Sequence, residues 1–278
     1  MRVFFDSIRA IRPKLVPSIG AAFLATFLTL AVAFPSTALG QSYGGGSGTE
    51  ADPYKIATPE HLIQLSIDSY SWTSNSEREI HIIQTADIVF PSDQDWDLGG
   101  STDPDHMRPI ADPSEADSQN AFRGSFDGQD FKIENLKIDS SGTWGGLFAK
   151  TVGASLKNIN LVNVVVGSGA TAWNQFGGLV GRASSTTIAN VNVSGTVVGG
   201  DNVGGIVGYL ESTRIKNVSV SGSVQGEGND IGGLAGFMDN ASQLVLGRSS
   251  ASVTGSSASN GDYVGGAVGE SDGTVTDT

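Results

Sequence analysis

The sequence predicts an all-β protein: a right-handed parallel β-solenoid of three-sided coils, with a small helix-containing cap at its N-terminal end. Three observations predict it. Glycine pairs recur at Gly145 and Gly146, Gly177 and Gly178, Gly204 and Gly205, Gly232 and Gly233, and Gly265 and Gly266, at intervals of 32, 27, 28 and 33 residues. A period in this range marks a repeat architecture. Each unit holds three short apolar runs, 203–209, 215–220 and 223–225 in the unit that starts at Val203. They are rich in β-branched residues, separated by Gly, Ser or Asn, and too short for helices. Finally, side-chain parity shifts at Asn217: Ile215 is odd, while Val218, Val220 and Val224 are even. Such a shift marks a bend or bulge between faces.

One coil of this kind cannot bury its own inner face, so coils must stack. Stacking sets parallel strands about 4.8 Å apart, with right-handed connections. Val203, Val218 and Val220 are expected to point inward. The glycine pairs then have two candidate tasks: to supply positive φ at a corner, or to let backbone approach backbone. Asn158, Asn190 and Asn217 fall at equivalent places and are expected to form a hydrogen-bonded amide ladder up the rod. Leu246 takes that place in the following unit, where the ladder should end.

Along the chain, residues 1–40 read as an export signal. Arg2, Arg9, Arg12 and Lys14 precede a mostly apolar, uncharged run at 19–34, and Ala38-Leu39-Gly40 forms a small-x-small cleavage site before Gln41. The run is shorter than the roughly 20 residues of a spanning helix, so no membrane insertion is expected after cleavage. Residues 41–121 read as the cap and a polar loop. Thr58-Pro59-Glu60 opens a helix, with Thr as N-cap, Pro in the first turn and an acid beside it. That helix is expected over 61–66 with Leu62 and Leu65 inward, followed by a strand at 79–84. Together they would cover the first open edge. Residues 93–120 are polar, acidic and proline-bearing, so they are expected as a long loop. The solenoid is expected over 122–278, opening with Phe122, Phe126 and Phe131. The last unit stops at Thr278 without a cap, so the chain is expected to continue in the full protein.

Composition excludes several functions. The 278 residues contain no Cys, which rules out disulfides, thiolate metal sites, a Cys nucleophile and a lipoprotein anchor. Formal charge is −13, and removing four basic residues and one acid with the signal leaves −16. That disfavours nucleic acid and anionic membrane surfaces as partners.

The unit "VGGIVGYLESTRIKNVSVSGSVQG" from Val203, with its relatives "FGGLVGRASSTTIANVNVSGTVVG" from Phe176 and "IGGLAGFMDNASQLVLGRSSASVTG" from Ile231, resembles the GLUG-motif repeat of bacterial secreted and cell-surface proteins. Upstream, "GSGTEADPYKIATPEHLIQLS" from Gly46 and "FRGSFDGQDFKIENLKI" from Phe122 resemble segments that precede such repeats. The resemblance implies a right-handed β-solenoid and a surface or adhesin-like setting. It implies no catalytic residues. Some relatives carry peptidases, but the H-E-x-x-H zinc motif is absent from this sequence.

Candidate chemistry is sparse. His61, His81 and His106 precede the repeats, and none has another His or Cys at ligand spacing. "GESDG" at 269–273 formally matches a nucleophile elbow, but that motif needs a following helix and a downstream His. Asp201, Asp230 and Asp262 come two or three residues before glycine pairs and are expected to line one corner, where Ca²⁺ is the one cofactor to consider. The T-x-T column of an ice-binding rod occurs once, at Thr274 and Thr276. Two functions follow. The favoured one is a secreted or surface-displayed, non-catalytic protein with an adhesive or structural face for an extracellular glycan or a host or matrix protein. The alternative is a carbohydrate-active solenoid enzyme, for which Trp96 in the polar loop would serve as a sugar platform. A cluster of acids with Arg or Lys on one face of neighbouring coils separates the two.

Overall fold

The computed structural model describes residues 43–72, 79–91, 107–111, 121–138, 142–167, 174–255 and 263–277. The expected signal, Gln41, Trp96, His106, Asp262, Thr278 and the polar loop apart from 107–111 lie outside them. The described chain is a parallel β-solenoid. Its strands form a twelve-stranded, a five-stranded and a four-stranded sheet, one for each side of the coil.

The largest sheet stacks Ser155–Val166, Thr187–Gly199 and Arg214–Gly226 in register. The second stacks Phe148–Val152, Val180–Ser184, Val207–Glu211, Ala235–Met238 and Val268–Ser271. The third stacks Phe176–Gly177, Val203–Gly204, Ile231–Gly232 and Val264–Gly265.

Stacking buries what no single coil could. Phe126, Leu156, Ile188, Ile215 and Leu244 follow one another up the rod in register, and each is 0% exposed. Burying such a side chain contributes about 1.5–3 kcal/mol. Val203, Val218 and Val220 are buried as well. In the last coil described, Val275 continues the column but remains 36% exposed.

Two of the three apolar runs are arranged differently from the expectation. The run 203–209 divides into Val203–Gly204 and Val207–Glu211, because the chain turns from one sheet to the next at Gly205 and the fully buried Ile206. The runs 215–220 and 223–225 are one strand, Arg214–Gly226. It bends at Asn217 (φ 54°) and Gly222 (φ 109°) without losing its neighbours.

The glycine pairs do not supply positive φ. Their task is close approach: a Cβ on Gly204 would stand 2.1 Å from the Val207 carbonyl oxygen, and one on Gly205 2.4 Å from that of Gly233. A third glycine in each repeat shares this task, since a Cβ on Gly208 would meet the Asn202 carbonyl oxygen at 2.6 Å. Gly177, Gly204, Gly232 and Gly265 lie in register. Gly145 instead bridges to Phe176, one residue out of that register, and the Phe176 ring fills the space where its Cβ would be.

At the N-terminal end the helix runs Pro59–Trp72, longer than expected. Thr58 caps it, its Oγ1 accepting from the His61 amide at 3.4 Å. Leu62, Ile63 and Leu65 join the core of the coils. The helix passes Ser66 because the serines there find partners: Ser66 Oγ donates to the Arg108 carbonyl at 2.9 Å and Ser69 Oγ accepts from the Ala111 amide at 2.9 Å. The sheet also begins well before residue 122. Tyr54–Ile56 pairs with Ile80–Gln84, which pairs with Gly124–Asp127.

Replacing Gly204 with Ala forces a methyl into backbone and is expected to cost about 3 kcal/mol. Gly266→Ala, with nothing within 4 Å of the added Cβ, should change stability by less than about 0.5 kcal/mol. Urea unfolding midpoints of the two variants check the contrast.

Candidate functional site

The outer surface of the largest sheet carries two columns of amides. Asn158, Asn190 and Asn217 occupy its first bend, with φ of 54°, 56° and 54°. Asn tolerates this left-handed conformation better than other side chains do. Asn217 Nδ2 donates to Asn190 Oδ1 at 2.9 Å, and Asn190 Nδ2 to Asn158 Oδ1 at 2.9 Å. The ladder closes on a carboxylate, with Asn158 Nδ2 donating to Asp127 Oδ1 at 2.9 Å. Leu246 holds the same conformation (φ 57°) and is 43% exposed, with neither a ladder bond nor burial in return. Leu246→Asn should therefore stabilise the fold by about 1 kcal/mol, through a relaxed left-handed residue and one more hydrogen bond. An unchanged or lowered thermal midpoint would contradict this account of the column.

Two residues further on, a second column runs through Asn160, Asn192 and Ser219. Asn192 Nδ2 donates to Asn160 Oδ1 at 2.8 Å, and Ser219 Oγ to Asn192 Oδ1 at 2.5 Å. Sequence reasoning missed this column, although its signal was present as N-x-N, N-x-N and N-x-S in successive repeats. The sheet bends again just beyond it. Gly195 (φ 143°) and Gly222 (φ 109°) make that bend in two coils. In the coil below, Val164 stands opposite Gly195 and register shifts by one residue. A β-bulge results, with Asn163 taking the positive φ (53°) instead. Between the second column and this bend lies a groove of about 320 Å³ that spans neighbouring coils.

The five-stranded sheet carries a different column: Lys150, Arg182, Tyr209, Phe237 and Glu270 in register. Arg182 lies over the Tyr209 ring at 4.8 Å, and Tyr209 stacks on Phe237 at 4.8 Å and 20°. Beside them Glu211 accepts from Arg182 at 2.9 Å and from Ser184 at 2.8 Å. The Arg182 and Ser184 hydrogen bonds hold the Glu211 carboxyl below its usual range.

Asp201 and Asp230 do not share one column. Asp230 stands in the place of Asn202, since Val203 pairs with Ile231, and Asp201 accepts from the Asn229 amide at 2.8 Å. The cause is one residue of spacing, two rather than three before the glycine pair. Asp230 is 7% exposed and takes a hydrogen bond from Asn202 Nδ2 at 3.0 Å. Burial, then its contact with the Glu270 carboxyl, pushes its pKa up to about 7. Among the described residues no group of three or more His, Cys, Asp or Glu is arranged to hold a metal.

The other sequence candidates stand apart. His61 Nδ1 accepts from the Ala57 amide at 3.2 Å, and His81 Nδ1 bonds Ser125 Oγ at 2.9 Å. Ser271 accepts from the Gly273 amide at 3.2 Å, and the strand Thr274–Thr276 follows it rather than a helix.

The raised Asp230 pKa makes stability depend on pH. The folded chain keeps a proton that the unfolded chain releases near pH 4. The contribution is complete below about pH 4 and is lost as pH rises through about 7. Asp230→Asn should flatten the unfolding midpoint over this window and raise it at about pH 8, toward the amide already used at Asn202. A wild-type midpoint that does not fall between pH 5 and 8 on this linkage would refute the assignment.

Coils with three backbone-contact glycines and outward amide columns define a repeat solenoid, and the comparisons agree. The family model of the GLUG motif matches residues 174–198 and 199–225, so the chain carries two adjacent GLUG repeats. It is similar to Halomucin of Haloquadratum walsbyi, 35% identical over 146 residues. The match covers 51% of this chain, which spans 1% of the length of that relative. Among solved structures, a Bacteroides ovatus protein provisionally assigned as an immunoglobulin A1 protease superposes with a TM-score of 0.62 at 20% identity. That covers 84% of this chain and 66% of the other, and the likeness is one of fold. The GLUG repeats and the similarity to Halomucin fit a surface protein.

Proposed function

We propose that the chain is a non-catalytic module of an exported protein, working in adhesion or in cell-surface and matrix organisation. The observation that carries this reading is the ladder of outward amides, fixed rung by rung by hydrogen bonds of 2.8 and 2.9 Å. A surface ordered in this way offers the same chemistry repeatedly, which suits multivalent contact. The partner is an extracellular glycan or a matrix protein. Export rests on the charged and apolar pattern of residues 1–40 and on the small-x-small site before Gln41.

One observation favours the enzyme reading. Asp230 and Glu270 form a carboxyl pair with one pKa raised to about 7, the kind of shift a general acid needs. Against it stands the burial of Asp230, whose carboxyl lies beneath the surface with Asn202 as its donor. A substrate oxygen would have to displace that contact. The purified chain is therefore expected to bind a glycan or matrix ligand and to release neither reducing ends nor unsaturated sugars from a broad polysaccharide panel. Release that disappears in Asp230→Asn would replace this reading with the enzymatic one.

A further inference from the structure

We propose that the groove beside the second amide column binds an extended, uncharged polysaccharide lying along the rod axis, an inference that rests on the surface-binding reading above and names its ligand and site. The geometry supplies what such a chain needs. Asn160, Asn192 and Ser219 follow one another at the rung spacing of about 4.8 Å along one wall of the groove. Their mutual hydrogen bonds use only part of their capacity. An amide has two N–H donors and two acceptor sites. Asn192 spends one donor on Asn160 and accepts one bond from Ser219, so one N–H remains for a ligand hydroxyl with its direction already set. Asn160 likewise spends one donor, on the Asp130 carbonyl at 2.7 Å.

The far wall adds hydroxyls. Ser194 and Ser221 line the groove at the bend, in register with each other. Ser221 is exposed and has no hydrogen-bond partner among the described residues. Between the walls lie the carbons of Val162. Alternating hydroxyl-binding groups and apolar carbon match a sugar chain, whose rings present hydroxyls at their rims and C–H groups on their faces.

Charge decides the class. Every ligand-facing hydrogen-bonding side chain on these two walls is neutral. The groove's one cation, Lys132, is held 3.3 Å from Glu134. The whole chain carries −13, which repels a polyanion. Uronate or sulfated polymers would therefore bring charges with nothing to pair them.

The test uses the purified chain in affinity electrophoresis against soluble β-glucan, mannan and xylan, with polygalacturonate and hyaluronan as anionic counterparts. At least one neutral polymer should retard the protein and neither polyanion should. Ser221→Arg, which fills the groove and leaves the ladder untouched, should abolish retardation. Asn192→Leu should weaken it about tenfold, the worth of one lost hydrogen bond. Tyr209→Ala, on the five-stranded sheet, should leave it unchanged. Retardation that survives Ser221→Arg overturns the groove as the site while leaving the surface-binding reading intact. Equal retardation by polygalacturonate, or none by any neutral polymer, overturns the ligand class. Unchanged far-ultraviolet circular dichroism of Ser221→Arg excludes unfolding as the cause of a loss.

Discussion

Everything in this molecule depends on in-register stacking of coils that are too thin to stand alone. A coil of this size has one row of inward side chains per side, and each row is covered only by the rows above and below it. The column from Phe126 to Leu244 is sealed at every rung, whereas Val275, covered from one side only, stays partly open. Register matters more here than in an ordinary sheet. A slip of one residue would turn a whole row of Val, Ile and Leu outward on that coil. The interior also has no room to absorb a misfit, because closely packed cores relax little around an added atom.

The glycines follow from that constraint. Where the four-stranded sheet meets the five-stranded one, the chain doubles back on its own backbone, and the neighbouring coil does the same a rung away. Side chains at Gly204, Gly205 or Gly208 would strike carbonyl oxygens at 2.1, 2.4 and 2.6 Å. The motif is thus a steric requirement repeated once per coil, and its conformational freedom goes unused. Freedom is needed elsewhere, at Gly222 and at the asparagine bend, where φ is positive.

Much of this was legible. Repeat period, β-branched runs and paired glycines define stacked parallel coils before any coordinate is known, and the parity break at Asn217 marks a real bend. Three features were not legible, each for a physical reason. Strand limits within a coil depend on whether a bend breaks hydrogen bonding, and Ser221-Gly222 bends without breaking it. The purpose of a glycine pair is ambiguous locally, because positive φ and close approach demand the same residue. The bulge at Asn163 appears only when one coil is laid against the next, since it arises from Val164 facing Gly195. The same comparison separates Asp230 from Asp201, which spacing alone had placed together.

The surface chemistry has a limited reach, and that limit bears on how such a module works. The second amide column covers three coils, from Asn160 to Ser219, about 10 Å at the usual rung spacing. The next residue in register is Arg248, which breaks the neutral run. The first column likewise stops at Leu246. A contact this short involves few hydrogen bonds, each worth only about 0.5–1.5 kcal/mol net in water. Tight binding by one module is therefore not expected from this face. Repetition compensates where several such faces are held together, because a second contact made by a tethered neighbour costs much less freedom than the first. The same regularity that lets thin coils fold thus favours a protein that holds its partner through many weak contacts.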